Sequence, residues 1–166
     1  MTEQEHRLLY IDICARLPYG LVVCQSAQYS DSHFAYSIAD KWQKEPHDFH
    51  IIGIEGKNTL ITDRNKEERT YSKGIVSTPI TICIDNGLTN QIARPYLRPM
   101  SSMTEDERNE YLNVKMQETE RVALAEVYRP EAVSEILDWL NAHHFDYRGL
   151  IEKGLALEAP DGMYNL

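Results

Sequence analysis

What the chain lacks narrows its class first. It contains no apolar run approaching the ~20 residues that a helix needs to cross a bilayer; the longest candidates, such as Gly20 to Cys24, are strand-length. No membrane partner is expected. The N-terminus, MTEQEHRLLY, carries two glutamates before any apolar stretch, whereas an export signal begins basic and runs into an uninterrupted apolar segment. The expected location is the cytoplasm.

Cysteine is scarce. Cys14, Cys24 and Cys83 form no CxxC pair, and an odd, widely spaced set is a poor disulfide framework. Each has Ile or Val beside it, so the three read as buried thiols packing as small hydrophobes. Glycine-rich loops of phosphate-binding spacing are missing too, and Gly53 and Gly56 fit turn geometry better. Nucleotide chemistry is disfavoured and no cofactor is expected. No hydroxyl or thiol sits in a recognisable nucleophile elbow.

An excess of cations is also absent. The chain has 17 Lys/Arg against 26 Asp/Glu, a net charge of −9. Residues 1–95 hold 10 Lys/Arg and 12 Asp/Glu, a net of −2, while residues 96–166 hold 7 and 14, a net of −7. Nucleic-acid affinity comes largely from cations that displace counterions from phosphates. This balance makes nucleic acid an unlikely partner.

What is present suits a globular α+β protein. At 166 residues, 42% apolar and 26% charged, the chain matches the size and composition of one folded domain. Thr2 with Glu5 fits a capping box, and Leu9, Ile13 and Leu17 give a helical stripe from about Thr2 to Arg16, ended by Pro18 and Gly20. Gly20 to Cys24 reads as a strand. In residues 25–45, Phe34, Ile38 and Trp42 recur as on a helix, while Phe34, Tyr36 and Ile38 alternate as in a strand, and the strand is preferred.

His50 to Glu55 and Thr59 to Thr62 predict a hairpin around Gly56-Lys57-Asn58. Asp63 to Arg69 reads as a solvated loop or hairpin tip, and Gly74 to Ile84 as a strand that Pro79 shortens or moves to an edge. Asp85-Asn86-Gly87 reads as a turn and Ile92 to Met100 as an extended connector. Thr104 with Glu107 repeats the capping box before a helix from about Glu105 to Val127, whose apolar residues Tyr111, Leu112, Met116 and Val122 are sparse. Pro130 suits the first turn of another helix, to about Ala142. Asp146 can cap a third short helix stopped by Gly154, and the tail from Leu155 reads as irregular.

The expected architecture is an N-terminal helix, a small antiparallel sheet or barrel of four to five strands, and a C-terminal helical cluster. Residues 1–103 form the helix plus β-rich body and residues 104–166 the helical part, packed as one domain or two close subdomains.

Three segments carry a resemblance: Arg94-Pro95-Tyr96-Leu97-Arg98-Pro99-Met100-Ser101-Ser102-Met103-Thr104-Glu105, Ala15-Arg16-Leu17-Pro18-Tyr19-Gly20, and the stretch from Trp139 to Gly154, WLNAHHFDYRGLIEKG. Together they cover roughly a fifth of the chain. In them the chain resembles a family of short uncharacterised proteins of gut anaerobic bacteria and their phages and prophages. The resemblance implies a cytoplasmic product of a mobile element or its host. It carries over no reaction, cofactor or catalytic residue.

Among chemical candidates, His143, His144 and Asp146 combine imidazole and carboxylate, ligands for zinc or iron, and would serve a metal-dependent hydrolase or nuclease. Adjacent helical histidines point about 100° apart, however, so a helix end with Asp146 capping the next element is favoured. His47 and His50 flank Asp48, and in an extended chain Asp48 and His50 share a face. They read more economically as surface residues entering the sheet. Glu105, Asp106, Glu107 and Glu110 read as a helix N-terminus and its solvated face rather than a metal cluster.

Arg94, Tyr96 and Arg98, with Tyr19, have the composition of a recognition surface for protein or single-stranded nucleic acid. The favoured alternative is that Tyr96 and Leu97 pin the connector to the core while the arginines neutralise carboxylates. The functional expectation is a non-enzymatic interaction or accessory module with a protein partner. A metal-dependent hydrolase or nuclease and a nucleic-acid accessory protein are the alternatives.

Overall fold

The computed structural model describes residues 1–26, 46–62, 67–71, 74–78, 81–86, 91–125 and 130–164. The chain is α+β, with an N-terminal helix, a mixed six-stranded sheet and further helices. The strand expected within residues 25–45 lies outside the described residues, apart from its first two.

Helix α1 (Glu3–Arg16) begins where the sequence places it, because the capping box forms: Glu5 N–H donates to Thr2 Oγ1 at 3.2 Å and Thr2 N–H to the Glu5 carboxylate at 2.7 Å. It tightens into a 3₁₀ turn (Leu17–Tyr19) at Pro18, which has no N–H to continue the α ladder. Gly20, at φ +73°, then turns the chain into β1 (Val22–Ser26).

The sheet runs β10 (Leu157–Glu158), β9 (Arg94–Leu97), β1, β2 (Pro46–Glu55), β3 (Thr59–Thr62) and β6 (Thr81–Cys83). Strand β2 pairs antiparallel with β1 and, through the expected hairpin, with β3, and β3 pairs antiparallel with β6. Strand β9 lies antiparallel to β1, and β10 runs parallel to β9. The expectation of four to five antiparallel strands is therefore corrected to six, with one parallel pair. Two segments account for the difference. The supposed connector is a sheet strand, and the supposed irregular tail adds two residues to its edge; neither is long enough to show a clear period of two.

Among the described residues two small hairpins lie outside this sheet. Strand β4 (Glu67–Tyr71) pairs with β5 (Gly74–Thr78), and β7 (Asp85–Asn86) with β8 (Gln91–Ile92). Both correct the sequence reading, which made Asp63 to Arg69 a loop or tip and Asp85-Asn86 a turn. Main-chain pairing satisfies the backbone without needing apolar side chains, so charged runs conceal it.

Helix α2 (Glu105–Ala125) and helix α3 (Pro130–Ala142) match expectation closely. Thr104 and Glu107 form the second capping box, at 2.8 Å and 3.2 Å. The expected third helix is replaced by turns: the Asp146 carboxylate accepts the N–H groups of Leu150 and Ile151, both at 2.8 Å, and Gly154 sits at φ +69°. A single side chain satisfying two N–H groups relieves the backbone of forming a helical turn.

The core has two parts. Leu9 and Ile13 of α1 pack with Leu21, Val23, Phe49, Ile51, Leu60 and Ile84 on one face of the sheet. Leu97, Leu150, Leu155 and Ala156 form a smaller cluster that anchors the C-terminal segment. Burying a side chain of this size is worth about 1.5–3 kcal/mol. The thiols divide differently from expectation: Cys24 is buried, Cys14 is partly buried, and Cys83 is exposed because alternation on β6 turns Ile82 inward.

Candidate functional site

A buried polar cluster starts on α1. Leu9 and Ile13 face the core, and residues three and four apart share a helix face. Asp12 and Arg16 are therefore carried inward with them, and both are fully buried. Arg16 Nε donates to Asp12 Oδ2 at 2.8 Å and its Nη2 to Oδ1 at 3.1 Å and to the Phe145 carbonyl at 2.8 Å. Arg148 Nε approaches Asp12 Oδ1 at 3.1 Å without hydrogen-bond geometry, so that contact is ionic. Arg16 and Arg148 also lie over the ring of Tyr147, at 5.5 Å and 4.8 Å. One carboxylate thus serves two guanidinium groups.

His144 sits beside this pair in a left-handed conformation, φ 56°. Its Nε2 donates to the Tyr19 carbonyl at 2.9 Å, which assigns the proton to that nitrogen. Its ring stacks on Tyr164 at 3.6 Å. Burial, reinforced by the Arg16 charge, pushes its pKa down to about 4, so the imidazole is neutral at pH 7. Burial also raises the Tyr164 phenol to about 12, and its hydroxyl donates to the Tyr96 carbonyl at 2.9 Å.

The structure gives His143, His144 and Asp146 separate partners. His143 stacks on Trp139 at 3.9 Å, with Nδ1 2.8 Å from the Trp139 carbonyl. His144 faces Tyr19 and Tyr164, and Asp146 caps the turn that follows. Among the described residues no group of three or more His, Cys, Asp or Glu is placed to hold a metal ion.

Arg94, Tyr96 and Arg98 do share a face, since Pro95 and Leu97 between them are buried. Their engagements differ. Arg94 is exposed, and Tyr96 donates to Asp48 Oδ1 at 3.0 Å. Arg98 is held bidentately by Glu107, at 2.6 Å and 2.9 Å, and lies 4.4 Å over the ring of Phe145. That pairing with Arg98 holds the Glu107 carboxyl down at about 2. Asp48 and His50 occupy one exposed face of β2, as extended geometry requires, and Tyr96 rather than His50 engages the carboxylate. Burial raises both the Cys24 thiol and the Tyr96 phenol on the same sheet face. Neither is primed as a nucleophile at neutral pH.

The three segments that carry the resemblance meet in space. Arg16 and Tyr19 of the first bond to Phe145 and His144 of the third. Arg98 of the second exchanges main-chain bonds with His144 and Asp146, at 2.8 Å and 2.7 Å. The sequence reading missed the role of Asp12 and Arg16. Their signal was available: a charged i, i+4 pair projected onto the Leu9 and Ile13 stripe.

Beside this junction a cleft of about 340 Å³ opens between Arg98, Ser102 and Glu107 on one wall and Glu158, Asp161 and Tyr164 on the other. No protein-family model, curated protein or solved structure matches the chain.

Proposed function

We propose that this chain is a cytoplasmic, non-enzymatic protein-interaction module that docks its partner through α2. One observation carries the reading. Leu112 and Met116, one turn apart on α2, are 45% and 59% exposed, while Tyr111 on the opposite side packs on Trp139 of α3 at 5.6 Å. Exposed large apolar side chains paired at i, i+4 are the anchors by which a helix meets a partner. The net charge of −7 over residues 96–166 favours a partner with a basic surface.

The polar groups support the same view. His143, His144 and Asp146 complete turns and stacks, and Arg98 completes an ion pair, so none is held ready for a reacting atom. None of the three cysteines is in a disulfide, which suits a reducing compartment. The setting proposed for the partner is the one the resemblance implies, a mobile element or its host.

The test places a photo-crosslinking residue at Met116 and, as a control, at exposed Glu152 of the full chain in its host cell. Cross-links to one basic protein from position 116 alone, lost when Leu112→Glu is added beside the cross-linking residue, are expected. Indistinguishable patterns from the two positions would remove α2 as the docking element.

A further inference from the structure

The cleft beside the junction has a chemical bias that its volume alone does not reveal. About 340 Å³ is within the range of small-ligand sites and holds on the order of ten waters. Each side-chain donor lining it already has an acceptor. Arg98 donates to both Glu107 oxygens, the Ser102 hydroxyl to the Pro99 carbonyl at 2.8 Å, and the Tyr164 hydroxyl to the Tyr96 carbonyl. What remains are acceptors. Glu158 and Asp161 are exposed at the rim, and among the described residues no ion pair engages either. Counting Arg98 against Glu107, Glu158 and Asp161, the lining carries one positive and three negative charges, a net of −2.

The occupant must therefore donate hydrogen bonds and bring positive charge. A bare metal ion does not fit, because these carboxylates do not form a group of three that converges on one point. An organic cation does, since a guanidinium or ammonium group spreads its donors while its alkyl stem lies along apolar walls. Pro99, Pro160 and the ring of Tyr164 supply those walls.

We propose that this cleft seats a cationic side chain of the protein partner, an arginine or lysine. The identity of the occupant as part of a partner rests on the interaction reading above, whereas recognition of the cation does not. Cleft and Leu112–Met116 stripe lie on different sides of α2, because Glu107 and Met116 are nine residues apart and a helix turns about 100° per residue. The two surfaces are therefore separable by mutation.

The experiment titrates the full chain with acetyl-Gly-Arg-Gly-amide, whose one charge is the guanidinium, and follows backbone amide NMR shifts. Saturable shifts confined to Ser102 and the 158–164 segment are expected, matched by the lysine peptide and absent with the glutamate peptide. Glu158→Gln/Asp161→Asn should weaken binding about tenfold or more, while Glu158→Asp/Asp161→Glu and Leu112→Glu/Met116→Glu should retain it. Binding that is unchanged by neutralising both carboxylates, equal for the glutamate peptide, or reproduced by magnesium alone would overturn the proposal. Its failure alongside intact cross-linking from position 116 would leave the interaction reading standing. The reverse result would remove α2 docking and leave the cleft as a cation site.

Discussion

Arg16 Nε lies 2.8 Å from Asp12 Oδ2, one turn back on α1, and neither side chain is exposed. Such a pair need not be a large net source of stability, because desolvating two ions offsets their attraction. Breaking it is costly. Asp12→Ala leaves Arg16 and Arg148 without their shared carboxylate and should destabilise the fold by about 3–5 kcal/mol in urea unfolding. Arg16→Met should cost less, since Arg148 still faces Asp12. The double variant Asp12→Leu/Arg16→Met should be less destabilised than the sum of the single changes; simple additivity would show that the two groups are not coupled.

His144 predicts a pH dependence with a definite sign. Its folded pKa of about 4 lies below the ordinary histidine value of 6.5, so the unfolded chain takes up the proton first. The stability it contributes is present above pH 6.5 and is lost as pH falls from 6.5 through 4, by ~3 kcal/mol at most. Glu107, depressed from 4.5 to about 2, adds a second loss in the lower window between those values. His144→Gln should flatten the upper part of the stability curve and Glu107→Gln the lower part. An unchanged profile between pH 6.5 and 4 in His144→Gln would sink the assignment.

The second capping box offers a graded test. Thr104→Ala removes only the cap on Glu107 N–H and should cost ~1 kcal/mol, a fall in melting temperature of roughly 2–4 °C for a chain of this size. Glu107→Ala removes the return bond and also both hydrogen bonds to Arg98. It should be the more damaging. Equal melting temperatures for the two variants would mean that the Arg98 pair adds nothing.

Gly20 tests backbone conformation without side-chain crowding. Its φ is +73°, and a Cβ added there meets nothing within 4 Å. Gly20→Ala should therefore cost ~1 kcal/mol, the left-handed penalty alone, and Gly20→Asn less, because asparagine tolerates that region. Calorimetry that ranks alanine above asparagine in stability would contradict this cause.

Much of the helical structure was legible because its signals are local. Both capping boxes and Pro130 at a first turn act within four residues of themselves and appear as expected, whereas Gly154 is left-handed but ends turns rather than the expected third helix. The hairpin from β2 to β3 was legible for the same reason. Strand β9 was not, since Pro95 argued against a central strand, and its place between β1 and β10 depends on segments about 70 and 60 residues away in sequence. The candidate site divides likewise. Sequence grouped Arg94, Tyr96 and Arg98 by composition, but their shared face and the pairing of Arg98 with Glu107 and of Tyr96 with Asp48 could be seen only after folding.

By itself the sequence determined where α1, α2 and α3 start, which stripe of α1 turns inward, and that the C-terminal part is acidic. These follow from periodicity, capping chemistry and charge, which need no distant partner. Tertiary structure alone decided that Asp12 would serve two arginines, that His144 would stay neutral against Tyr19 and Tyr164, and that a net-negative cleft would form between the ends of β9 and β10. Each of those outcomes depends on desolvation and on contacts between residues far apart in the chain, and neither quantity is written in local pattern.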